Sequence, residues 1–208
     1  MDEATAAWRN TTHDWAGTVD AGHLTRIRND PAEFAPGGVR HLVLEVMAYA
    51  ADEAEARGGG HCTVAFHTDG SVSVADDGRG TDTRFDGQGR PVKKPVMATK
   101  DLRFFGRPVA RLLPDGCPRR GMSVVAALSE WLVHTNRRAG GAWVQRYEHG
   151  IPTTDLIPVA DDGTTGTVVH FRPGEPLRAA AGPVAAETAR LGAAWPCLSV
   201  EVETHRAD

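Results

Sequence analysis

The sequence predicts an α+β sandwich in which helices cover an antiparallel sheet. Three features lead to this class: an amphipathic helix pattern that starts at His41, a hairpin pattern directly after it, and a later run of strand patterns that closes with a helix and a strand. The chain has 208 residues, of which 41% are hydrophobic, so it can bury one substantial core and is expected to form one domain.

The central helix is predicted from His41 onward, and the glycine run after Arg57 ends it. Its apolar residues recur at helical spacing: Leu42, Val43, Val46, Met47, Ala50 and Ala54. Residues 61–76 then alternate on both sides of Asp69-Gly70, a dipeptide typical of hairpin turns. We therefore expect a helix followed by an antiparallel hairpin.

The second half of the chain predicts the rest of the sheet. Residues 122–132 follow a helical pattern, and residues 131–150 contain two strand patterns that indicate a second hairpin. Three further elements complete the prediction: a strand at 165–173, a helix at 182–195 and a closing strand at 197–203.

Two segments lack a regular pattern. Residues 1–37 are polar, with helix-breaking prolines and glycines, so we expect an irregular N-terminal arm before a domain that spans residues 38–208. Residues 81–120 are rich in Gly, Pro, Lys and Arg, and a long weakly patterned segment of this kind is typical of a functional lid.

Composition excludes several classes of function. The net charge of -4 and a pI near 6.1 argue against broad electrostatic binding of DNA. No apolar run is long enough for a membrane span and the N-terminus lacks a signal-peptide pattern, so we expect a cytoplasmic protein. The three cysteines and nine histidines show no disulfide framework and no metal-ligand spacing, so no metal site is predicted.

Candidate chemistry begins on the central helix. Glu45, Tyr49 and Asp52 follow spacings of four and three, which puts them on one helix face, where carboxylates either line a cleft or form a solvated surface. The hairpin then ends in Asp76, two glycines and Arg79. These residues fit an ordinary turn, with Arg79 paired to Glu53, or a site where a carboxylate accepts a hydrogen bond from an exocyclic amine.

Five stretches in this order resemble one family: "HLVLEVMAYAADEA", "DGSVSVADDGRG", "GMSVVAALS", "RYEHGIP" and "TGTVVHFRP". They are similar to the ATP-binding domain of the B subunit of DNA gyrase and related type II topoisomerases, in the GHKL superfamily. The resemblance covers roughly residues 24–206 and implies the Bergerat α/β sandwich, with a mixed, mostly antiparallel sheet.

The resemblance also implies an adenine nucleotide site. Asp76 would bind the adenine amino group, Thr167 would assist through a water, and Gly80 would leave room for the ring. Glu45 would be the general base that activates water for attack on the γ-phosphate. Asp52, Arg79 and Gly121 would belong to the same site, and its apolar walls would be Val46, Val74, Val96, Met97 and Val169. Aminocoumarin-type inhibitors are expected to fit this pocket.

The phosphate half departs from the family pattern. Tyr49 stands where the family has an Asn that coordinates Mg²⁺, and a neutral phenol is a poor ligand for that ion. The glycine-rich phosphate loop is replaced by residues 115–121, where Pro118 has no N–H to donate. Arg119 and Arg120 in this loop are either solvated charges or side-chain clamps for phosphate.

Three hypotheses about function follow. The favoured one is a stand-alone adenine-nucleotide-binding module with weak or absent hydrolysis, and since the chain ends at Asp208 we do not expect a complete topoisomerase. The second is an active ATPase completed by a partner protein. The third is an interaction module in which Tyr49 fills the pocket.

Overall fold

The computed structural model describes residues 19–89, 91–92, 95–105, 111–179 and 184–205. The strands are β1 (Gly60–Phe66), β2 (Val72–Asp76), β3 (Arg84–Phe85), β4 (Pro91–Val92), β5 (Ser129–Arg138), β6 (Gly141–Glu148), β7 (Ile151–Pro152), β8 (Ile157–Pro158), β9 (Gly166–Pro173) and β10 (Leu198–Thr204). The helices are α1 (Ala21–Asn29), α2 (Pro31–Phe34), α3 (Val39–Arg57), α4 (Met122–Ala127), α5 (Glu175–Ala179) and α6 (Val184–Gly192).

Eight strands form one sheet in the order β10-β1-β2-β9-β5-β6-β7, with β8 paired to β6, while β3 and β4 form a separate pair. The β1–β10 pair is parallel and the other pairs of described strands are antiparallel. The prediction of a mixed, mostly antiparallel sheet is therefore confirmed. The predicted first hairpin is the β1–β2 pair, with Cys62 opposite Asp76 and Phe66 opposite Val72.

Helix α3 is the centre of the core. It packs against β1 and β2 of the sheet and against the helices α4 and α6, so it is buried around most of its circumference. Gly58 ends it in the left-handed conformation, with φ of +79°, as the glycine run predicts. Among the described residues, no helix is both long and apolar enough to cross a bilayer.

The N-terminal segment differs from the prediction. Residues 21–34 form α1 and α2, whose first turns are capped by the side chains of Asp20 and Asp30. Leu24, Ile27 and Phe34 are buried in the core, so the expectation of an irregular arm is wrong for these residues. This segment has too few apolar residues to form a clear helical pattern in the sequence. Burial of those residues against the rest of the domain stabilises its helices. Residues 1–18 lie outside the described residues, and the domain boundary at residue 38 stays a prediction.

The helix predicted at 122–132 is also shorter than expected. It ends at Ala127, and β5 begins at Ser129, whose hydroxyl donates to the carbonyl of Val125 at 2.7 Å. Strand pairing decides this boundary, because Leu132 lies opposite Phe171 of β9 and both side chains are fully buried. Tertiary burial thus overrides local helix preference here.

The segment predicted as a lid is described in part, since residue 90 and residues 93–94 and 106–110 lie outside the described residues. A 3₁₀ turn spans Pro95–Met97, and Met97, Ala98, Asp101 and Phe104 are buried. This part of the segment therefore packs against the rest of the domain, and the lid role stays a prediction.

Candidate functional site

Glu45 lies on α3 with a fully buried side chain, and the loop before α4 binds it. Its two carboxylate oxygens accept hydrogen bonds from the backbone N–H groups of Arg120 and Gly121, the second at 2.8 Å. Gly121 has φ of +94°, and a Cβ there would lie 3.1 Å from both Asp101 and the Tyr49 hydroxyl. Glycine therefore allows the loop to approach the helix closely enough to donate to Glu45.

His41 precedes Glu45 by one helical turn, and its ring lies between two carboxylates. Its Nε2 is 3.4 Å from Glu45 and its Nδ1 is 3.6 Å from Asp115, and both partners are buried. Burial by itself lowers the pKa of His41, but the carboxylates of Asp115 and Glu45 outweigh burial and raise the pKa to about 9. Without a bound ion, Glu45 therefore has a cationic neighbour as well as two backbone donors.

Tyr49 lies one turn further along α3 and faces the predicted lid. Its hydroxyl donates to Asp101 at 2.9 Å, and the guanidinium of Arg103 pairs with the same carboxylate at 2.7 Å. Burial and the Asp101 carboxylate raise the pKa of the Tyr49 phenol, which stays neutral and acts as a donor. Tyr49, Asp101 and Arg103 thus form a mutually bonded cluster at the position where the resemblance expects a metal ligand.

Arg119 extends this cluster on the far side of Tyr49. Its guanidinium stacks between the rings of Tyr49 and Phe104, at 4.6 and 4.5 Å from their centroids, and its side chain is only 4% exposed. It forms an ion pair with Asp52 at 2.8 Å, and Asp52 also lies 3.6 Å from Arg111. Asp52 and Arg119 line a separate cleft of about 180 Å³ next to Trp195.

Arg120 is placed differently from Arg119. Its guanidinium carbon lies 5.8 Å from the Phe34 ring centroid and 6.0 Å from that of Phe105, and its backbone N–H donates to Glu45. The two arginines of the loop therefore face different surroundings, and Arg119 is the one in contact with Tyr49.

At the other end of the site, Asp76 lies at the end of β2. Its carboxylate accepts hydrogen bonds from the hydroxyl of Thr167 on β9 and from the N–H of Gly78, the latter at 2.8 Å. Burial raises the pKa of Asp76 although both hydrogen bonds lower it. Asp76 and Thr167, which are far apart in the sequence, thus meet where the resemblance expects the base of a nucleotide.

The glycine and the arginine after Asp76 have partners within the protein. Gly80 has φ of +72°, and a Cβ there would lie 2.3 Å from the carbonyl oxygen of Arg137 on β5. Packing against β5 therefore requires glycine at this position whether or not a ring lies nearby. Arg79 pairs with Glu53 through two hydrogen bonds of 2.7 and 3.0 Å, which is the pairing that the simpler interpretation of this turn expects.

Between these ends lies a mainly apolar cavity of about 210 Å³. Six residues predicted for the nucleotide site line it: Val46, Tyr49, Val96, Met97, Thr167 and Val169. Five other lining residues were not predicted: Thr81, Arg103, Met122, His134 and Tyr147. Val74 lies in the core on β2 opposite Val169, and it is not among the residues that line the cavity.

Sequence patterns give little signal for the unpredicted residues. His134 on β5 and Tyr147 on β6 line the cavity because successive side chains of a strand alternate between its two faces. Which face of each strand lines the cavity depends on the pairing register, and the sequence alone does not give that register. Asp101 and Arg103 belong to a segment without periodicity. The charged and aromatic run at residues 100–105 is the one feature of that segment that could have drawn attention to it.

The donor set of the phosphate half does not fit Mg²⁺. This ion prefers carboxylate, carbonyl and water oxygens in octahedral geometry. Tyr49 offers a neutral phenol that already donates to Asp101, and the carboxylate of Asp52 is paired with Arg119. These residues therefore do not provide the oxygen ligands that a magnesium ion requires.

Comparisons with known proteins agree with this architecture. A search of protein-family models gave no match. The chain is 38% identical over 138 residues to the B subunit of DNA topoisomerase 4 from Bacillus subtilis, an alignment that covers 65% of this chain and 21% of that protein. It is 35% identical over 161 residues to the B subunit of DNA gyrase from Thermotoga maritima, with 71% and 25% covered.

A solved structure has the same fold. It is the topoisomerase IV ATP-binding domain of Francisella tularensis in complex with a small-molecule inhibitor, with a TM-score of 0.66, 22% identity and coverage of 88% of this chain and 90% of that one. Over 65–71% of its own length, the chain is homologous to the B subunits of gyrase and topoisomerase IV, which confirms the resemblance. It spans about a fifth to a quarter of the length of these relatives.

Proposed function

We propose that the chain binds an adenine nucleotide in the cavity beside α3 and hydrolyses it slowly or not at all. The observation that carries the proposal is the apolar cavity, which reaches Thr167, the residue that donates to the partly buried carboxylate of Asp76. Its relatives are B subunits of type II topoisomerases, and a solved ATP-binding domain has the same fold.

The base end has the chemistry that adenine requires. A purine offers a flat apolar surface and an exocyclic amine that donates hydrogen bonds, and Asp76 is an acceptor next to apolar walls. The cavity volume of about 210 Å³ exceeds the roughly 150 Å³ of an engineered apolar cavity that binds benzene. Thr167 can rotate its hydroxyl from Asp76 toward a bound water, which leaves a carboxylate lone pair for the amine.

Slow hydrolysis follows from the contacts of the catalytic candidate. A general base must contact the attacking water, yet Glu45 is fully buried beneath the loop whose N–H groups donate to both of its oxygens. These N–H groups are the donors that a phosphate would need. Arg103 and Arg119 are held by Asp101 and Asp52, so charge that would stabilise phosphate is already neutralised.

A second candidate is an ATPase that a partner protein completes. The observation that favours it is the presence of Glu45 on α3, with His41 one helical turn before it. In this candidate, the loop that covers Glu45 opens when the partner binds. Opening would release the N–H groups of Arg120 and Gly121 and the guanidinium of Arg119 for a phosphate. The third hypothesis, a pocket filled by Tyr49, has less support because Tyr49 lines the cavity and directs its hydroxyl to Asp101.

Calorimetry tests the binding proposal. Titration with ATP, ADP and a non-hydrolysable ATP analogue should show binding to one site per chain, with affinities that change little when Mg²⁺ is added. Absence of binding by all three nucleotides would contradict the proposal and favour the interaction module.

Phosphate release tests the hydrolysis proposal. We expect turnover near background for the wild type and for Glu45→Ala, and a gain in Tyr49→Asn that Glu45→Ala removes when the two changes are combined. If the wild type already turns over steadily and Glu45→Ala stops it, the proposal of weak hydrolysis is wrong and the active ATPase replaces it.

We propose further that aminocoumarin-type inhibitors bind at the base end. Asp76 and Thr167 are together there, and at the rim Arg138 donates to the Gly80 carbonyl and pairs with Asp82 at 2.7 Å. Novobiocin should raise the melting temperature of the protein. An unchanged melting temperature, in a protein that binds ATP, would show that the cavity differs in shape from that of a gyrase.

A further inference from the structure

Three side chains of metal-ligand type meet at the start of α3, outside the lining of the cavity. His41 comes from the helix, and Asp115 and Cys117 come from the loop that leads to Glu45. One ligand atom of each residue lies within 4.8 Å of the other two. The side chains of His41 and Asp115 are 0% and 3% exposed, so this is a buried group rather than a chance surface cluster.

The facing atoms of His41 and Asp115 have no hydrogen bond within the part of the chain that the structure describes. These atoms are Nδ1 of His41 and Oδ2 of Asp115, and 3.6 Å separates them. Buried polar atoms are nearly always satisfied by protein, water or an ion. Zinc bonds of about 2.0–2.3 Å place two tetrahedral ligands roughly 3.5 Å apart, so this pair already has the separation that a shared ion requires.

We propose that Nδ1 of His41, Oδ2 of Asp115 and Sγ of Cys117 bind one zinc ion, with a fourth position left for water or another ligand. Imidazole, carboxylate and thiolate are the ligand types of protein zinc sites, while Mg²⁺ and Ca²⁺ prefer oxygen ligands throughout. Cys117 is partly exposed, which gives the ion a route to the buried pair.

Contacts around the three ligands orient them as a zinc site requires. Metal-binding histidines usually donate their other ring N–H to a carboxylate, and Nε2 of His41 lies 3.4 Å from Glu45. The second oxygen of Asp115 accepts a hydrogen bond of 3.0 Å from the N–H of Cys117, which directs Oδ2 toward His41. The loop can bring these groups together because Gly116 between them has φ of +81°.

The charges near the site are compatible with a divalent cation. Asp115 and the Cys117 thiolate would neutralise Zn²⁺, and binding would release the thiol proton and any proton on Nδ1 of His41. Arg40 lies 4.0 Å from Asp115, but its guanidinium is paired with Glu187 at 2.5 Å. The rival arrangement is a protonated His41 between two carboxylates without an ion, in which the Cys117 thiol lies beside Asp115 and binds no metal.

The experiment uses the full chain after reduction and treatment with a chelator. Zn²⁺ is titrated in competition with a chromophoric chelator, and Co²⁺ is used as an optical probe. Cys117→Ser and Asp115→Asn each remove a ligand, and Cys197→Ser is the matched control because Cys197 is also a partly exposed free cysteine. Circular dichroism of each metal-free variant checks its fold.

We expect one Zn²⁺ per chain in the wild type and in Cys197→Ser, with at least a tenfold loss of affinity in the other two variants. Co²⁺ should produce a thiolate charge-transfer band in the wild type, a readout that needs no variant to fold. Zn²⁺ should also slow alkylation of Cys117 and leave that of Cys197 unchanged. Absence of the cobalt band, or equal zinc affinity in Cys117→Ser and the wild type, overturns the proposal and supports the ion-free arrangement.

Discussion

The two ends of the site differ in how their polar groups are satisfied. At the base end a partly buried carboxylate, Asp76, accepts hydrogen bonds from Thr167 and Gly78 beside an apolar cavity. At the phosphate end Asp101 and Asp52 are paired with Arg103 and Arg119, and loop N–H groups occupy Glu45. On the proposed function, the first end would offer an open cavity to a base, whereas at the second end the protein's own groups already bind one another.

This difference follows from which residues of the site also belong to the hydrophobic core. The walls of the base end, such as Val46 and Val169, belong to the hydrophobic core, so the fold itself needs them. The phosphate end is built from a loop and from charged side chains, which can exchange partners without disturbing the core. On the proposed function, the domain would offer a cavity for a base while the groups that would bind phosphate bind one another.

The largest expected effect concerns Gly80 at the base end, and it tests whether stability requires a glycine there. Gly80→Ala should lower the free energy of unfolding by about 3 kcal/mol, because the new Cβ would meet the Arg137 carbonyl in a backbone conformation that already disfavours a side chain. Gly163→Ala is the matched control, with φ of +76° and no atom of the described residues within 4 Å of the added Cβ, and should cost about 1 kcal/mol. Equal costs in urea unfolding would show that strain, and not contact with β5, requires Gly80.

The second prediction concerns the anchor of the phosphate end. His23 on α1 is buried, contacts Ser123 of α4 at 3.0 Å, and so holds the helix that follows the loop at Gly121. Burial lowers the pKa of His23 to about 4, while Asp20 opposes this shift and Lys100 and Arg26 add to it. The neutral ring therefore contributes stability that is complete above pH 6.5, the ordinary pKa, and is lost as the pH falls toward 4.

The loss should reach about 3 kcal/mol in the free energy of unfolding between these limits. Urea unfolding at several pH values would measure it, and His23→Gln should show a shallower decline because it has no ring to protonate. Parallel declines in the two proteins would mean that other groups cause the acid sensitivity.

The third prediction tests ligand recognition at the base end. Asp76→Ala should weaken binding of adenine nucleotides by about 2 kcal/mol, since it removes a charged acceptor. Asp161→Ala is the control, because Asp161 accepts the same kind of backbone hydrogen bond, 2.9 Å from Gly163, on an exposed loop. Unchanged ATP affinity in Asp76→Ala, measured by calorimetry, would place the ligand elsewhere.

The smallest effect tests whether the two ends are independent. Tyr49→Phe removes the hydrogen bond to Asp101, which Arg103 still holds, so it should cost about 1 kcal/mol in stability. Tyr147→Phe is the control, since it removes a buried hydrogen bond of 2.7 Å to Gln145 from another residue that lines the cavity. Adenosine affinity should stay within about threefold in Tyr49→Phe. A much larger change would show that the ends are coupled.

Much of the fold was predictable because its signals are local. The apolar spacing after His41 predicts α3, and the Asp69-Gly70 turn predicts the first hairpin, since both depend on residues close together in the chain. The alternating strand patterns and the ordered resemblance also predicted the class of sheet, which the comparisons confirm. The sequence pattern does not predict α1, because this helix has few apolar residues and they become buried only when it packs against α4.

For the site, the sequence by itself determined which residue types are present: Asp76 at a strand end, Glu45 on a helix, and Tyr49 where a metal ligand was expected. Only the tertiary structure decided their partners. In the folded chain, Gly121 donates a hydrogen bond to Glu45, and Tyr49 donates one to Asp101. These residues are far apart in the sequence, so no local spacing predicts their contacts. The physical reason is that a polar group's role depends on what satisfies it after burial, and burial is a property of the whole fold.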